Sequence, residues 1–174
     1  MAETLPLDPV ARGTLLPLAE RLARLRAVQP ALLALLEGED DPIAAQATIA
    51  TVLWQALAQC NWVGFYRRIG PTTLAVGPYQ GGIGCLRIDF ARGVCGAAAR
   101  TQQVQLHADV RQAPDHIACD ADTLSELVIP VLDQQGTLQA VLDLDSTHLG
   151  GLSQQEADWL QAQLPVWLGG VAWG

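Results

Sequence analysis

Asp143 and Asp145 stand two residues apart in Val141-Leu-Asp-Leu-Asp-Ser146, inside an otherwise apolar segment. As a strand, this segment places Leu138, Ala140, Leu142 and Leu144 on one face and Val141, Asp143 and Asp145 on the other. Two carboxylates on one face are either a solvated surface or part of a site. Glu126 opens the preceding apolar run, on the face of Val128 and Leu132. If the two runs pair, three carboxylates converge. Clustered acids raise one another's pKa, so one holds a proton near neutrality while the others stay anionic. Such a cluster supplies a proton donor together with anions that hold a cation.

The four cysteines are Cys60, Cys85, Cys95 and Cys119. Cys60 follows Leu57 by three residues and extends an apolar stripe, where a small side chain packs inertly. The other three stand in or beside segments read as loops, and three chemistries are open to them. The first is a zinc site with His107 or His116 as further ligands, although no C-x-x-C pair is present and the spacings match no common zinc pattern. The second is inert burial. The third is reactive thiols, since the Gly and Pro around Cys85 and Cys119 leave the chain room to move. Asn61-Trp-Val-Gly-Phe-Tyr66 puts Trp62, Gly64 and Tyr66 on one strand face and Val63 and Phe65 on the other. Gly64 leaves a gap between the aromatics, which reads as a pocket wall or as an ordinary core strand.

The elements around these residues read as follows. Residues 1–40 are rich in Leu, Ala and Arg and read as helical, broken near Pro17 and Pro30. Asp41 caps a second helix with Pro42 in its first turn. Its apolar stripe is Ile43, Ala47, Ala50, Trp54 and Leu57. Strands are expected over 61–69 and 72–77, with shorter ones at 86–90 and 103–107 around a helix at 94–102. Residues 109–125 read as a loop. Strands at 126–132 and 137–145 follow, and a capping box, Ser153-Gln-Gln-Glu156, opens a helix running to Leu168. Paired strands with short connections predict an α+β fold, an antiparallel sheet with helices packed on it.

Composition narrows the function. The net charge is −8, every basic residue is arginine, and no basic patch is present. Nucleic-acid binding is therefore not expected, and without lysine both Schiff-base and phosphate-loop chemistry are excluded. No apolar run reaches the ~20 residues of a membrane span. The start lacks a signal-peptide pattern, so a cytoplasmic location is expected.

Asn61-Trp-Val-Gly-Phe-Tyr66, Gly77-Pro-Tyr-Gln-Gly81, Gly93-Val-Cys-Gly96, His116-Ile-Ala-Cys-Asp120, Ser125-Glu126, Pro130 and Val141-Leu-Asp-Leu-Asp-Ser146 occur in that order. Together they resemble the GAF-domain free methionine-R-sulfoxide reductases over residues 42–165, most densely from 61 to 146. The resemblance implies a GAF-like antiparallel sheet of about six strands with helices on its faces. With the helical reading of residues 1–40, a helical extension there is expected to pack on a GAF-like catalytic domain at 41–174. The resemblance also implies reduction of the R epimer of free methionine sulfoxide. Cys119 would be the nucleophile, Cys85 the principal resolving thiol and Cys95 a second thiol able to exchange with them. Glu126, Asp143 and Asp145 would form the acidic pocket, and Trp62 and Tyr66 its aromatic wall.

A thiolate that attacks a sulfoxide sulfur needs the oxygen protonated. The resulting sulfenic acid is converted by a second thiol to a disulfide, which an external dithiol, in this family thioredoxin, reduces. The resemblance implies no metal or organic cofactor, and a homodimer. Tyr79 departs from the family's Phe, Asp115 from its Gly, and Gln139-Ala140 from its Ile-Gly. The competing reading is a non-catalytic GAF ligand sensor, which leaves the three loop cysteines unexplained.

Overall fold

Asp41 accepts a hydrogen bond from the Ala44 backbone N–H at 2.7 Å, and Pro42 follows as the first helical residue. That local chemistry starts the second helix where the sequence places it. In the computed structural model, which describes residues 4–113 and 121–174, the helices are α1 (Leu18–Leu35), α2 (Pro42–Ala56), α3 (Gly93–Thr101) and α4 (Gln154–Trp167). The strands are β1 (Cys60–Arg68), β2 (Thr73–Gly81), β3 (Arg87–Asp89), β4 (Gln105–His107), β5 (Ser125–Leu132) and β6 (Leu138–Ser146). A short 3-10 turn spans Val110–Gln112.

The six strands form one sheet in the order β3-β2-β1-β6-β5-β4, with every pairing antiparallel. This is the expected α+β arrangement. One face carries Val63, Phe65, Leu127, Ile129, Ala140, Leu142 and Leu144, buried with α1, α2 and α4 side chains such as Leu25, Ile49, Leu53 and Leu160. The opposite face carries Trp62, Tyr66, Val128 and Val141, and packs with Val94, Cys95 and Ala98 of α3. The period-two alternation of β1 thus separates a structural face from a functional one.

Three local expectations are corrected. First, α1 is not broken at Pro30; the helix runs through it. Pro30 is on an exposed face, where water can satisfy the carbonyl its missing N–H leaves. Burial of Leu25, Val28 and Leu32, at about 1.5–3 kcal/mol each, outweighs the proline's cost. Arg24 adds two bonds of 2.9 Å, from Nε to the Ala56 carbonyl and from a terminal nitrogen to the Gln55 carbonyl, capping the end of α2.

Second, the buried stripe of α2 is Ala45, Ile49, Val52, Leu53 and Ala56 with Ala50, whereas Ile43 is 42% exposed and Ala47 is also exposed. The helix is covered by α1 as well as by β1 and β2, so its buried arc is wider than a single stripe. Third, Leu138 joins the α3 face rather than that of Ala140. The β5–β6 register shifts between Val131 and Leu132, and a bulge at that point turns the chain over. Cys95 lies in the first turn of α3, within the helix expected at 94–102, and is buried.

The ends of β1 and β6 are held by a buried polar knot. Glu156 closes the capping box of α4 with Ser153, accepts from Arg21 at 2.9 Å and from Gln59 at 3.1 Å, and is fully buried. Burial pushes its carboxyl up, opposed by those same donors. The Ser146 hydroxyl donates to the Gln59 carbonyl at 2.8 Å, which fixes the end of β6 beside the start of β1.

Candidate active site

The site is built from register. Across β1–β6 the partners are Trp62 with Asp145 and Gly64 with Asp143. Across β5–β6 they are Glu126 with Asp145 and Val128 with Asp143. Trp62, Asp145 and Glu126 therefore form one row over three strands, with Asp143 in the next row on the same face. The acids inferred to be neighbours are neighbours.

Helix α3 lies over them. A Cβ at Gly96 would stand 2.5 Å from the Asp89 carbonyl oxygen and 2.9 Å from that of Phe90, so only glycine lets α3 approach β3 this closely. That approach seats Cys95 on the acids. Cys95 Sγ and one carboxylate oxygen each of Glu126 and Asp143 lie within 4.8 Å of one another.

Aromatic stacking forms the wall. The Trp62 ring lies between Tyr66, at 5.4 Å and 18°, and Tyr79, at 5.0 Å and 16°. Gly64 pairs with Tyr79 across β1–β2. A Cβ there would overlap the Tyr79 Cβ and come within 2.8 Å of the Trp62 ring. The gap at Gly64 is thus no opening between Trp62 and Tyr66; it is filled by the Tyr79 Cα and Cβ and by the edge of the Trp62 ring. The backbone N–H of Cys85 hydrogen-bonds the Tyr66 hydroxyl, and Gly84 passes so close that a Cβ would sit 3.0 Å from that oxygen. The segment before Cys85 therefore roofs the aromatic wall.

Trp62, Tyr66, Cys95, Glu126, Asp143 and Asp145 line one cavity, together with Gly82, Ile83, Gly84, Ile88, Val94 and Thr123. Its electrostatics follow from burial. Desolvation raises Asp143 to about 7, although the Cys95 thiol and the Leu144 N–H donate to it. Burial first, then Asp143 and Asp145, hold the Glu126 pKa well above the usual carboxylate range. The Cys95 thiol is pushed far up by burial and then by the neighbouring acids, which keeps it as S–H. Among the described residues, Asp143 Oδ1 and Trp62 Nε1 are buried without a hydrogen-bond partner. An unfilled acceptor and an unfilled donor on one cavity are costly unless a polar ligand arrives. The arrangement offers a proton near neutrality, buried negative charge for a cation, and an aromatic face for an apolar group.

Five of the residues singled out from sequence, Trp62, Tyr66, Glu126, Asp143 and Asp145, thus converge, and Cys95 joins them. Cys85 is disulfide-bonded, while Cys60 and Cys95 are free. Cys60 is fully buried in the opposite core. Cys119 and His116 lie outside the described residues. The zinc reading from Cys85, Cys95, Cys119 and a histidine gains no support. Among the described residues, the group able to surround an ion is Cys95, Glu126 and Asp143, without His107 or Cys85. Sequence reasoning missed Tyr79 and Thr123 as site residues. Tyr79 was detectable in principle, because a strand glycine facing an aromatic marks a close approach.

Residues 39–164 match the GAF domain family. A free methionine-R-sulfoxide reductase of Escherichia coli (strain K12) is 41% identical over 128 residues, spanning 74% of this chain and 76% of that protein. A free methionine-R-sulfoxide reductase of Saccharomyces cerevisiae is 34% identical over 131 residues, spanning 72% and 73%. The crystal structure of free methionine-R-sulfoxide reductase from Neisseria meningitidis in complex with its substrate superposes with a TM-score of 0.77 at 36% identity, covering 83% of this chain and 86% of that one.

Proposed function

The chain belongs to the GAF-domain free methionine-R-sulfoxide reductases, and we propose that it reduces free L-methionine-R-sulfoxide to methionine by thiol chemistry. The observation that supports this most is the placement of Glu126, Asp143 and Asp145 against the Trp62–Tyr66 wall, under the segment that carries the disulfide-bonded Cys85.

The assigned roles are these. Cys119 attacks the sulfoxide sulfur. Asp143 or Glu126, held protonated near neutrality by burial, donates to the sulfoxide oxygen. The remaining acids stay anionic and stabilise positive charge developing on sulfur. The aromatic wall receives the methyl group. Cys119 S–H and the sulfoxide thereby become Cys119 sulfenic acid and methionine. The Cys85 thiol attacks that sulfenic acid, releasing water and forming a Cys85–Cys119 disulfide. An external dithiol, thioredoxin, returns both thiols, which suits a reducing cytoplasm. Cys95, buried as S–H, exchanges more slowly than Cys85 and is not the first resolving thiol. Negative charge in an enclosed cavity selects a free amino acid, whose ammonium it can hold, over an internal residue of a peptide. No membrane role is proposed; no helix among the described residues is long and apolar enough to cross a bilayer.

The test is consumption of separated epimers with thioredoxin recycling. Free R-sulfoxide should be reduced. The free S epimer and a peptide containing an internal methionine sulfoxide should both be inert. Preference for either of those, or no reduction at all, would refute the assignment.

A further inference from the structure

We infer that Cys95, Glu126 and Asp143 form a binding site for a thiophilic divalent cation, Zn2+ or Cd2+, inside this cavity. The three ligands come from α3, β5 and β6, so the tertiary fold and not a local sequence motif assembles them. Their donor atoms lie within 4.8 Å of one another. A tetrahedral zinc site with Zn–S of ~2.3 Å and Zn–O of ~2.1 Å has edges of roughly 3.4–3.6 Å. The cage therefore closes by side-chain rotation alone, chiefly of Glu126, the longest of the three. The second observation is Asp143 Oδ1. Asp143 is 5% exposed and lines the cavity, and this oxygen has no hydrogen-bond partner among the described residues. A buried carboxylate oxygen left bare toward buried acids awaits a positive ligand, and the cavity's described lining contains no arginine to provide one.

The donor set chooses the ion. One thiolate with two carboxylates suits Zn2+ or Cd2+, with a water in the fourth position facing the cavity. It does not suit Mg2+ or Ca2+, which take six or more oxygens. On binding, Cys95 releases its S–H proton and the Glu126–Asp143 pair releases any carboxyl proton it holds, both to solvent; the sulfur–metal bond forms, and the thiol's hydrogen bond to Asp143 is replaced by coordination of both groups to one ion. Cys85 takes no part, so the site persists when Cys85 is in its disulfide. An ion held there occupies the acid cluster and blocks the cavity to any other ligand.

The experiment uses the full chain with the Cys85 disulfide intact and Cd2+ alone as the probe, in metal-free buffer. Cys60 and Cys95 are then the free thiols among the described cysteines. One Cd2+ should bind per chain with a sulfur-to-cadmium charge-transfer absorption in the ultraviolet. Cys95→Ser should abolish the absorption, Cys60→Ala should leave it unchanged, and Asp143→Asn should weaken binding by about tenfold or more. Glu126→Gln, on a different strand, should weaken it to a similar degree and replaces Asp143→Asn if that variant does not fold. The inference is overturned if wild-type protein shows no such band at one equivalent, if the band disappears in Cys60→Ala, or if the carboxylate variant that folds binds Cd2+ as tightly as wild type.

Discussion

The thiol of Cys95 donates a hydrogen bond to the carboxylate of Asp143, and that bond holds the Asp143 pKa lower than burial alone would set it. Cys95 is thus an electrostatic neighbour of the proposed acid as well as a thiol. Cys95→Ala removes the donor, so Asp143 should titrate higher than in wild type. Activity that needs protonated Asp143 falls as pH rises through its pKa. The alkaline limb of kcat/KM should therefore move to higher pH in Cys95→Ala. Cys95→Ser keeps a donor and should restore the wild-type limb. If Cys95 served instead as an obligatory exchanging thiol, both variants would lose thioredoxin-linked turnover alike, with no shift in the profile of what remains.

The raised acids also predict how stability depends on pH. Asp143 sits at about 7 in the folded chain, against 3.8 for a free side chain, and Glu126 is shifted the same way. The folded state then binds more protons than the unfolded state between about pH 4 and pH 7, so stability falls as pH rises through that window. Asp143→Asn removes a group that is costly to ionise. It should melt higher than wild type at pH 8, with the advantage vanishing at pH 4. The same variant should lose activity by about 100-fold if general acid catalysis has its usual weight. Scanning calorimetry at the two pH values checks the first statement. Equal melting differences at both would mean that Asp143 does not hold its proton through burial.

Much of this was readable in the sequence wherever the determinant is local. Asp41 with Pro42 and Ser153 with Glu156 start their helices by hydrogen bonds within four residues, and both starts are where the pattern puts them. The acids of β6 share a face because strand period is fixed at two. What was not readable depends on partners distant in the chain. The buried arc of α2 follows from its being covered by α1 and the sheet together. Leu138 changes face at a bulge that no spacing announces. Cys95 reaches Asp143 only because Gly96 lets α3 settle onto Asp89 and Phe90. Tyr79 joins the aromatic wall because β2 extends through Pro78 to Gly81 and pairs with Gly64, where the sequence ended the strand at Gly77.

Cys119 lies outside the described residues, and its role is tested by chemistry. Cys119→Ser should fail to yield even one equivalent of methionine per chain in a single-turnover reaction, because a serine hydroxyl cannot form the sulfur intermediate. Peptide mapping after oxidation by one equivalent of substrate should recover Cys85 joined to Cys119. Recovery of Cys95 joined to Cys119 instead would make Cys95 the first resolving thiol, against the argument from its burial and high pKa.

The last prediction concerns Gly64. Its missing side chain lets β2 bring Tyr79 against Trp62, and a methyl group there meets the Tyr79 Cα at 2.7 Å and the Trp62 ring at 2.8 Å. Gly64→Ala must therefore push β2 away or tilt the indole, at a cost of about 1–3 kcal/mol for an overpacked site. Because Trp62 lines the cavity, the change should also raise KM for the sulfoxide more than it lowers kcat. Trimming the tyrosine ring does not relieve the clash, since the crowded atoms include the Tyr79 Cβ and Cα, which alanine retains. Gly64→Ala combined with Tyr79→Ala should remain at least as unstable as Gly64→Ala alone. A matched control is Gly136→Ala, at a turn with open space around it but a backbone φ of +80°. It should destabilise through strain while leaving KM unchanged. Thermal melts and steady-state kinetics on these variants decide the matter. Recovery of wild-type stability in the double variant would show that the Tyr79 ring and not its Cα and Cβ is what Gly64→Ala crowds, and an unchanged KM in Gly64→Ala would show that the three-ring wall does not set the shape of the pocket.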